Sequence, residues 1–507
     1  MTTNRRQVTA AELPVEVAGL LDDGYRAALV AAHEDPDAFR VVYLFTAARP
    51  DRRVELALRT DRIAPEVPSL ATLSFPLGRF EREMRDLYGV VPLDHPLPRR
   101  LVRHSHWPKG WYPMRSDAGA PPPFGAAEGA YPFVRVEGPG VYEIPVGPVH
   151  AGMIGPGHFR FSVVGETILK LKARLWFNHK GLEKLAEGRT PQEAFAIAER
   201  ISGDTTVGHA TAFALAVEDA LGWQVPPRAQ VVRAVLLELE RLYNHVADLG
   251  ALANDVGYGI LNTHAQRVRE GLLRLNEQVT GHRLLRGGVV LGGARLTDVP
   301  TAAAITRFGD EIAEIADLAL RNSVVVDRFT GTAALATENA REIGVLGYVA
   351  RASGVDVDAR RDHPFCPATA QVQPVLRSEG DVLARFLVRA EEARASVGLL
   401  TALLGEVHAG AITVPPPEPV SSAAGRAAGA VTASGVPASG VGLVEGWRGT
   451  VVHRVELGPD GRLTRLKVVD PSFLTWPALP VALRQTIVPD FPVTNKSFNL
   501  SYAGNDL

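Results

Sequence analysis

The polar groups able to do chemistry gather in a few short stretches of this 507-residue chain. The densest is Glu199-Arg200-Ile201-Ser202-Gly203-Asp204-Thr205, which places a cation, two carboxylates and two hydroxyls in one run, with His209 shortly after. Upstream stands His150, in Gly147-Pro148-Val149-His150. Further on, His245, Asp248 and Asp255 recur at steps of three and seven residues, which puts them near one face of a helix. Such a line can conduct protons or contact a ligand inside a bundle. It can equally be a satisfied polar network, or for Asp248 a solvated face. His179 and Glu183, four apart, suit either a structural hydrogen-bond pair or two metal ligands, but no third ligand accompanies them.

The one cysteine, Cys366, lies in His363-Pro364-Phe365-Cys366-Pro367. One thiol can neither close an intrachain disulfide nor supply the four thiolates of an iron–sulfur cluster. A small apolar residue in a proline-held loop describes it better than a reactive nucleophile. Gly287-Gly288-Val289-Val290-Leu291-Gly292-Gly293 lacks the spacing of a dinucleotide fingerprint and reads as a glycine-bent strand.

The elements that must position these groups fall into two parts. Residues 1–116 mix strand and helix patterns: a helix over 11–33 with Pro14 as a break, strands over 40–47 and 53–59, and a short charged helix over 78–88. A Gly/Pro/Ala-rich stretch, 117–137, reads as a linker or as an ordered strap over the next domain. From 138 to 507 a β-rich opening (141–164) precedes helical periodicity over 191–198, 206–221, 227–255, 265–281, 302–320 and 381–404. Helices of that kind pack as a bundle. A Pro/Ala/Ser/Gly segment at about 415–440 suits a mobile loop, and strand patterns return at 450–457 and 463–469 around the turn Pro459-Asp460-Gly461. The fold class expected is α+β: a small N-terminal α/β domain and a large, mainly α-helical bundle with β structure at both ends.

With 46 % hydrophobic and 22 % charged residues the chain is ordinary globular material, able to bury more than one core. A net charge of −2 argues against nucleic acid or an anionic membrane surface as the main partner. No run is apolar for long enough to span a bilayer, and the N-terminus has no signal-peptide character. A cytoplasmic protein is expected.

Five blocks then carry a resemblance. Gly147-Pro148-Val149-His150 with Gly157-His158-Phe159-Arg160, Asn178-His179-Lys180-Gly181-Leu182-Glu183, Glu199-Arg200, Asp327-Arg328 and Arg351–Arg361 are similar to the large subunit of group 4 nickel–iron hydrogenases and to the 49-kDa subunit of complex I. Glu81-Arg82-Glu83-Met84-Arg85-Asp86-Leu87-Tyr88-Gly89 with His95-Pro96 resembles the 30-kDa subunit of complex I. The whole chain thus looks like a fusion of the two. The resemblance implies a peripheral subunit on the inner face of the cell membrane. Its partners would be a small [4Fe–4S] subunit and antiporter-like membrane subunits, and it would take part in electron transfer coupled to ion translocation. A quinone-reactive subunit and an inert scaffold are the alternatives. A nicotinamide site is not implied, since in complex I the hydride chemistry lies on another subunit.

At the site itself the chain departs from both relatives. The hydrogenase's first cysteine pair falls on Ser202 and Thr205, and the second on Asn499 and Tyr502. Hydroxyls and an amide cannot replace thiolates on these soft metals, so no metal site and no cofactor bound by this chain is expected. The histidine and tyrosine of quinone-reducing relatives fall on Ile154 and Gly203. What remains for a cavity is His150, Arg200, Asp204 and Asp255. The resemblance places the charged block Arg351, Asp356, Asp358, Arg360 and Arg361 at a partner interface, and a surface ion-pair network explains it equally. Glu81, Glu83 and Asp86 are expected to fix the small domain against a neighbouring subunit.

Overall fold

The computed structural model describes residues 3–126, 131, 133–152, 154–417 and 438–507. The fold class matches the expected α+β arrangement. Of the expected linker, 127–130 and 132 lie outside the described residues, as does 418–437 of the expected loop. In the described part of the linker the Phe124 ring meets Trp107 of the small domain edge-on at 5.6 Å.

The small domain is a four-stranded sheet of order β1-β4-β3-β2, with β1 Asn4–Val8, β2 Arg26–Glu34, β3 Phe39–Ala47 and β4 Arg52–Thr60. Only the β1–β4 pairing is parallel. The helix expected over 11–33 ends early. Helix α1 covers Leu13–Asp22, and the chain turns through Gly24 at φ +79° into β2. The apolar run 28–32 is buried along its whole length, so its small residues imitate helical periodicity while filling a strand with no solvent face. Helix α2, Phe75–Tyr88, packs on β2.

The acidic residues of α2 do not face a neighbouring subunit. Glu81 accepts from the Leu70 N–H at 2.6 Å, and Asp86 accepts from the N–H groups of Leu101, Val102 and Arg103. Glu83 pairs with Lys467 of the large domain at 2.7 Å. These carboxylates therefore cap loops and join the chain's own two halves.

In the large domain a three-stranded antiparallel sheet, Val141–Val146, His158–Val164 and Thr167–Arg174, opens the fold. The bundle follows: Thr206–Leu221, Pro227–Asp255, Gly259–Thr280, Ala302–Arg321 and Val382–Leu403. A second antiparallel sheet, Ala438–Gly446, Gly449–Leu457 and Leu463–Val469, is pressed between this bundle and the small domain. Its first strand lies directly on the backbone of Thr206–Leu221. A Cβ at Gly442 would stand 2.0 Å from the Ala212 carbonyl oxygen, and one at Gly440 2.2 Å from that of Ala216. On the other face Arg454 forks onto Glu55 (2.8 and 3.1 Å), and Arg40 reaches Glu456 at 2.7 Å. These buried pairs lock the small domain to the sheet that supports the site.

The block expected at a partner interface or on the surface divides. Asp356 and Arg361 pair near the surface, but Arg351, Asp358 and Arg360 are buried. Arg351 bonds Glu392 (2.6 Å) and Glu445 (2.8 Å), and Arg360 clasps Asp358. They belong to an internal ion network.

Candidate functional site

The turn 202–205 feeds the N-terminus of Thr206–Leu221, and the short helix Phe491–Phe498 brings the C-terminal segment against it. That helix ends on Asn499 at φ +38°, a left-handed cap that asparagine tolerates better than most residues. The chain then reverses so that the Ser501 hydroxyl lies 2.8 Å from that of Ser202. Ser501, rather than Asn499 or Tyr502, thus sits opposite Ser202.

Asp204 is the centre of the arrangement. Arg448, from the hairpin between the first two strands of the second sheet, binds it through two parallel bonds of 2.7 and 2.6 Å. Ser202 and Thr205 donate to the same carboxylate at 3.0 and 3.2 Å. The Asp204 carbonyl accepts from Trp447 Nε1 (2.8 Å) and Asn244 (2.9 Å). Burial alone would raise this carboxyl; the Arg448 guanidinium overrides it and holds it at about 2. One edge stays open, leaving the Asp204 side chain 38 % exposed while that of Arg448 is 4 % exposed.

The opening is a cavity of about 660 Å³, lined among others by His150, Ile154, Gly203, Asp204, Asp255 and Tyr502. His150 lies with Nε2 3.4 Å from the Tyr502 hydroxyl. The Tyr502 side chain reaches this position because Gly155 and Gly157 leave room: a Cβ at Gly155 would stand 2.7 Å from the Tyr502 Cβ, and one at Gly157 2.7 Å from the ring. On another wall Asp255, at the end of Pro227–Asp255, is raised by its surroundings, and the Lys496 ammonium opposes that shift. Of the residues expected here, His150, Asp204 and Asp255 line the cavity, with Ser202, Asn499 and Tyr502. Thr205 stands behind, bonded to Asp204 and Arg448. Arg200 does not join them: it folds back onto the Ala196 carbonyl at 2.7 Å and is solvent-exposed. The cation that pairs with Asp204 is Arg448. Its sequence signal was present in Trp447-Arg448-Gly449, a tight hairpin carrying an aromatic and an arginine, but nothing in local spacing links it to Asp204.

The remaining groups have structural partners. His179 bonds the Asp506 carbonyl (2.6 Å), while Glu183 holds Arg465 (2.9 Å) and Lys467 (3.2 Å), so they form neither a mutual pair nor a metal site. Among the described residues no cluster of three His, Cys, Asp or Glu could hold a metal. Cys366 is buried, which raises its thiol and makes it inert. His209 bridges Asp470 (3.1 Å) and His453 (3.0 Å) in the core. Asp248 is buried rather than solvated, held by Arg389 (3.0 Å) and Asn499 (2.6 Å). Val289–Val290 and Gly293–Leu296 are short antiparallel strands, in keeping with a glycine-bent strand.

The donor set does not fit a nickel–iron centre. The Ser202 and Thr205 hydroxyls are engaged by Asp204, the Asn499 amide by Asp248, and the Tyr502 hydroxyl by His150. None is a thiolate, and the space between them is crossed by a Ser202–Ser501 hydrogen bond.

Fold and site together define a large subunit of the hydrogenase and complex I type with a 30-kDa-type domain fused in front. Residues 8–123 match the 30 Kd subunit and 255–506 the 49 Kd subunit of respiratory-chain NADH dehydrogenase, and 180–253 match the nickel-dependent hydrogenases. The chain is 33 % identical to formate hydrogenlyase subunit 5 of Escherichia coli over 89 % of its own length and 79 % of the relative's. It belongs to that family. Hydrogenase-4 component G of Escherichia coli is 32 % identical over 84 % of this chain and 73 % of its own. The C/D-type NADH-quinone oxidoreductase subunit of Bacteroides thetaiotaomicron is 29 % identical, over 73 % and 74 %. Among solved structures, a chain of the membrane-bound sulfane sulfur reductase, an archaeal respiratory membrane complex, superposes with a TM-score of 0.64 at 25 % identity, covering 72 % of this chain and 98 % of that one. No helix among the described residues is long and apolar enough to cross a membrane.

Proposed function

We propose that this chain is the cavity-bearing subunit of a membrane-associated oxidoreductase of the complex I and hydrogenase-related kind. In this reading its cavity receives a small electron acceptor beside a [4Fe–4S] cluster carried by a small partner subunit. Protonation changes at the cavity wall are passed to antiporter-like membrane subunits, with the chain on the inner face of the membrane. The observation that carries it is an open cavity, lined by a titratable set, at the place where the metal ligands have been replaced. An inert scaffold would be expected to close such a space, because unfilled polar volume contributes nothing to stability.

One observation favours a quinone-type acceptor. The expected histidine and tyrosine are absent at Ile154 and Gly203, yet His150 and Tyr502 stand 3.4 Å apart on the same wall. A hydroxyl–imidazole pair has thus been rebuilt from the other end of the chain. It can offer a hydrogen bond and a proton to a carbonyl oxygen. The test is purification of the native complex, with elemental analysis, electron paramagnetic resonance of its clusters and titration with a short-chain quinone. Saturable binding weakened about tenfold by Tyr502→Phe, the size of one lost hydrogen bond, is expected, with no stoichiometric nickel. Stoichiometric nickel, or no saturable binding of quinone in the intact complex, would overturn it.

A further inference from the structure

Behind the site, two helices carry buried polar groups that face one another. Between Pro227–Asp255 and Val382–Leu403, Asp248 meets Arg389 (3.0 Å), His245 meets Glu392 (3.0 Å), and Glu238 meets Ser396 (2.5 Å). All six are buried. At one end Asn499, which lines the site cavity, bonds Asp248 at 2.6 Å. At the other, Arg351 ties Glu392 to Glu445, and Thr450 bonds Glu445 at 3.0 Å. Thr450 and Asp358 line a second cavity of about 640 Å³, between the small and large domains. The polar groups thus form a line of two hydrogen-bonded segments, Asn499–Asp248–Arg389 from the site cavity and His245–Glu392–Arg351–Glu445–Thr450 from the second cavity, which adjoin where His245 and Asp248 lie one turn apart on Pro227–Asp255.

Its cost needs a reason. Replacing buried ion pairs by apolar side chains is often neutral or stabilising, so a long buried series is weak support for a fold. Two atoms in the middle also lack partners among the described residues: His245 Nδ1, an acceptor when Nε2 carries the proton, and Arg351 Nη2, a donor. Both side chains hold Glu392, on different oxygens. A donor and an acceptor left open in one layer are what a bridging internal water satisfies.

We infer that this line is a hydrated proton route joining the interdomain cavity to the site cavity, with His245 as its transfer group. Arg351 and Arg389 stay charged and cannot carry the proton; they hold the carboxylates in register. Glu445, His245 and Asp248 can carry it; Glu392, which burial would raise but Arg351 and His245 hold well below the usual carboxylate range, passes it on without keeping it. A proton taken at His245 Nδ1 from a water and one released from Nε2 to Glu392 balance; once Glu392 has passed its proton on, the ring returns to the starting tautomer by losing the Nδ1 proton to water and regaining one at Nε2 from water, so that one proton has moved along the line. The groups facing His245 are Glu392, Arg389 and Arg241, with Asp248 a turn away on its own helix and the rings of Tyr348 and Trp447. Burial lowers the His245 imidazole and Glu392 opposes that shift, so the ring rests neutral and ready to accept.

The use of this route rests on the cavity reading above, but its test needs no cavity ligand, so the two fail separately. Exchange of the His245 ring N–H with solvent is measured by nitrogen-15 NMR on the full chain, the signal assigned by its loss in His245→Gln. Exchange much faster than that of buried backbone amides on the same helix is expected in the wild type. Thr450→Val, at the mouth of the second cavity, or Glu445→Gln, which keeps the hydrogen-bonding shape, is expected to slow it about tenfold. Wild-type protection equal to those amides, or unchanged exchange in both variants, would overturn the inference.

Discussion

Removing one partner of the Asp204–Arg448 pair is expected to cost more when the carboxylate is removed than when the arginine is. The two ends of the pair differ in solvent access: the Asp204 side chain is 38 % exposed on the cavity side and that of Arg448 only 4 %. Asp204→Asn leaves a guanidinium in the protein with no anion in contact. Breaking a buried pair in that way costs about 3–5 kcal/mol, and the asparagine oxygen recovers part of it. Arg448→Met leaves a carboxylate that water in the cavity can solvate, so about 1–2 kcal/mol is expected even with the bond to the Asn499 carbonyl lost. The pH dependence carries a sign. Asp204 is held near 2, below its unfolded value, so its contribution is complete above about pH 4 and is lost as pH falls toward 2. That contribution is at most roughly 2.5 kcal/mol, and the open edge reduces it to about 1. Urea denaturation followed by tryptophan fluorescence reads both effects, since Trp447 donates to the Asp204 carbonyl. Asp204→Asn should be the less stable variant by about 1–2 kcal/mol and should lose the wild type's decline between pH 4 and 2. Arg448→Met being the worse by more than 1 kcal/mol would refute an argument in which the depth of the stranded charge decides.

Other outcomes follow from the same geometry. Glu240 accepts from the Val207 and Gly208 N–H groups, and burial pushes its carboxyl up to about 8. The folded chain therefore keeps a proton that the unfolded chain releases, so stability falls as pH rises from about 4.5 to 8. Wild type should lose stability between pH 5 and pH 8 and Glu240→Gln should not, as read by denaturation midpoints at the two pH values; at pH 5 the variant should be the weaker by about 1 kcal/mol, because its amide nitrogen cannot accept one of the two N–H groups. Glu55→Gln should loosen the small domain by about 1–2 kcal/mol by removing one of the two carboxylates on Arg454, Glu456 remaining at 3.3 Å, with faster hydrogen exchange confined to the strands Arg26–Glu34, Phe39–Ala47 and Arg52–Thr60. Gly442→Ala puts a Cβ 2.0 Å from a helix carbonyl and should cost more than about 3 kcal/mol, seen as a fall in soluble yield and midpoint.

Most of the architecture was legible because long helices with three- and four-residue periodicity declare themselves. The helix at Pro227–Asp255 agrees with the periodic run read from sequence. The early end of Leu13–Asp22 was hidden because the next strand is buried on both faces and shows no alternation. At the site, His150, Asp204 and Asp255 were findable from motif position. Arg448 was not, because its partner lies more than two hundred residues away and only the tertiary fold joins them. Arg200 misled for the converse reason: it neighbours the vacated positions in sequence, but one turn of helix aims it back at Ala196. The charged block at Arg351–Arg361 looked like surface, since nothing local reveals that Glu392 and Glu445 come to meet it.

The exchange of thiol positions for hydroxyls between Ser202 and Thr205 is a rebuilding, and charge shows why. A guanidinium with 4 % of its side chain exposed, such as Arg448, needs an anion in contact to be stable. Where metal-bound thiolates are present they supply negative charge; here no thiol stands near the site, the only one being Cys366 in the core. Asp204 supplies the missing anion from within the same turn, and Ser202, Thr205 and Ser501 complete a hydrogen-bonded clasp around it. Loss of the ligands alone would have left Arg448 stranded and the turn unsupported. Their replacement by this particular set neutralises the cation and ties the C-terminal segment to the bundle. It still leaves one edge of the carboxylate open to a cavity that other titratable groups share. The turn therefore presents a charge-balanced polar wall to the cavity.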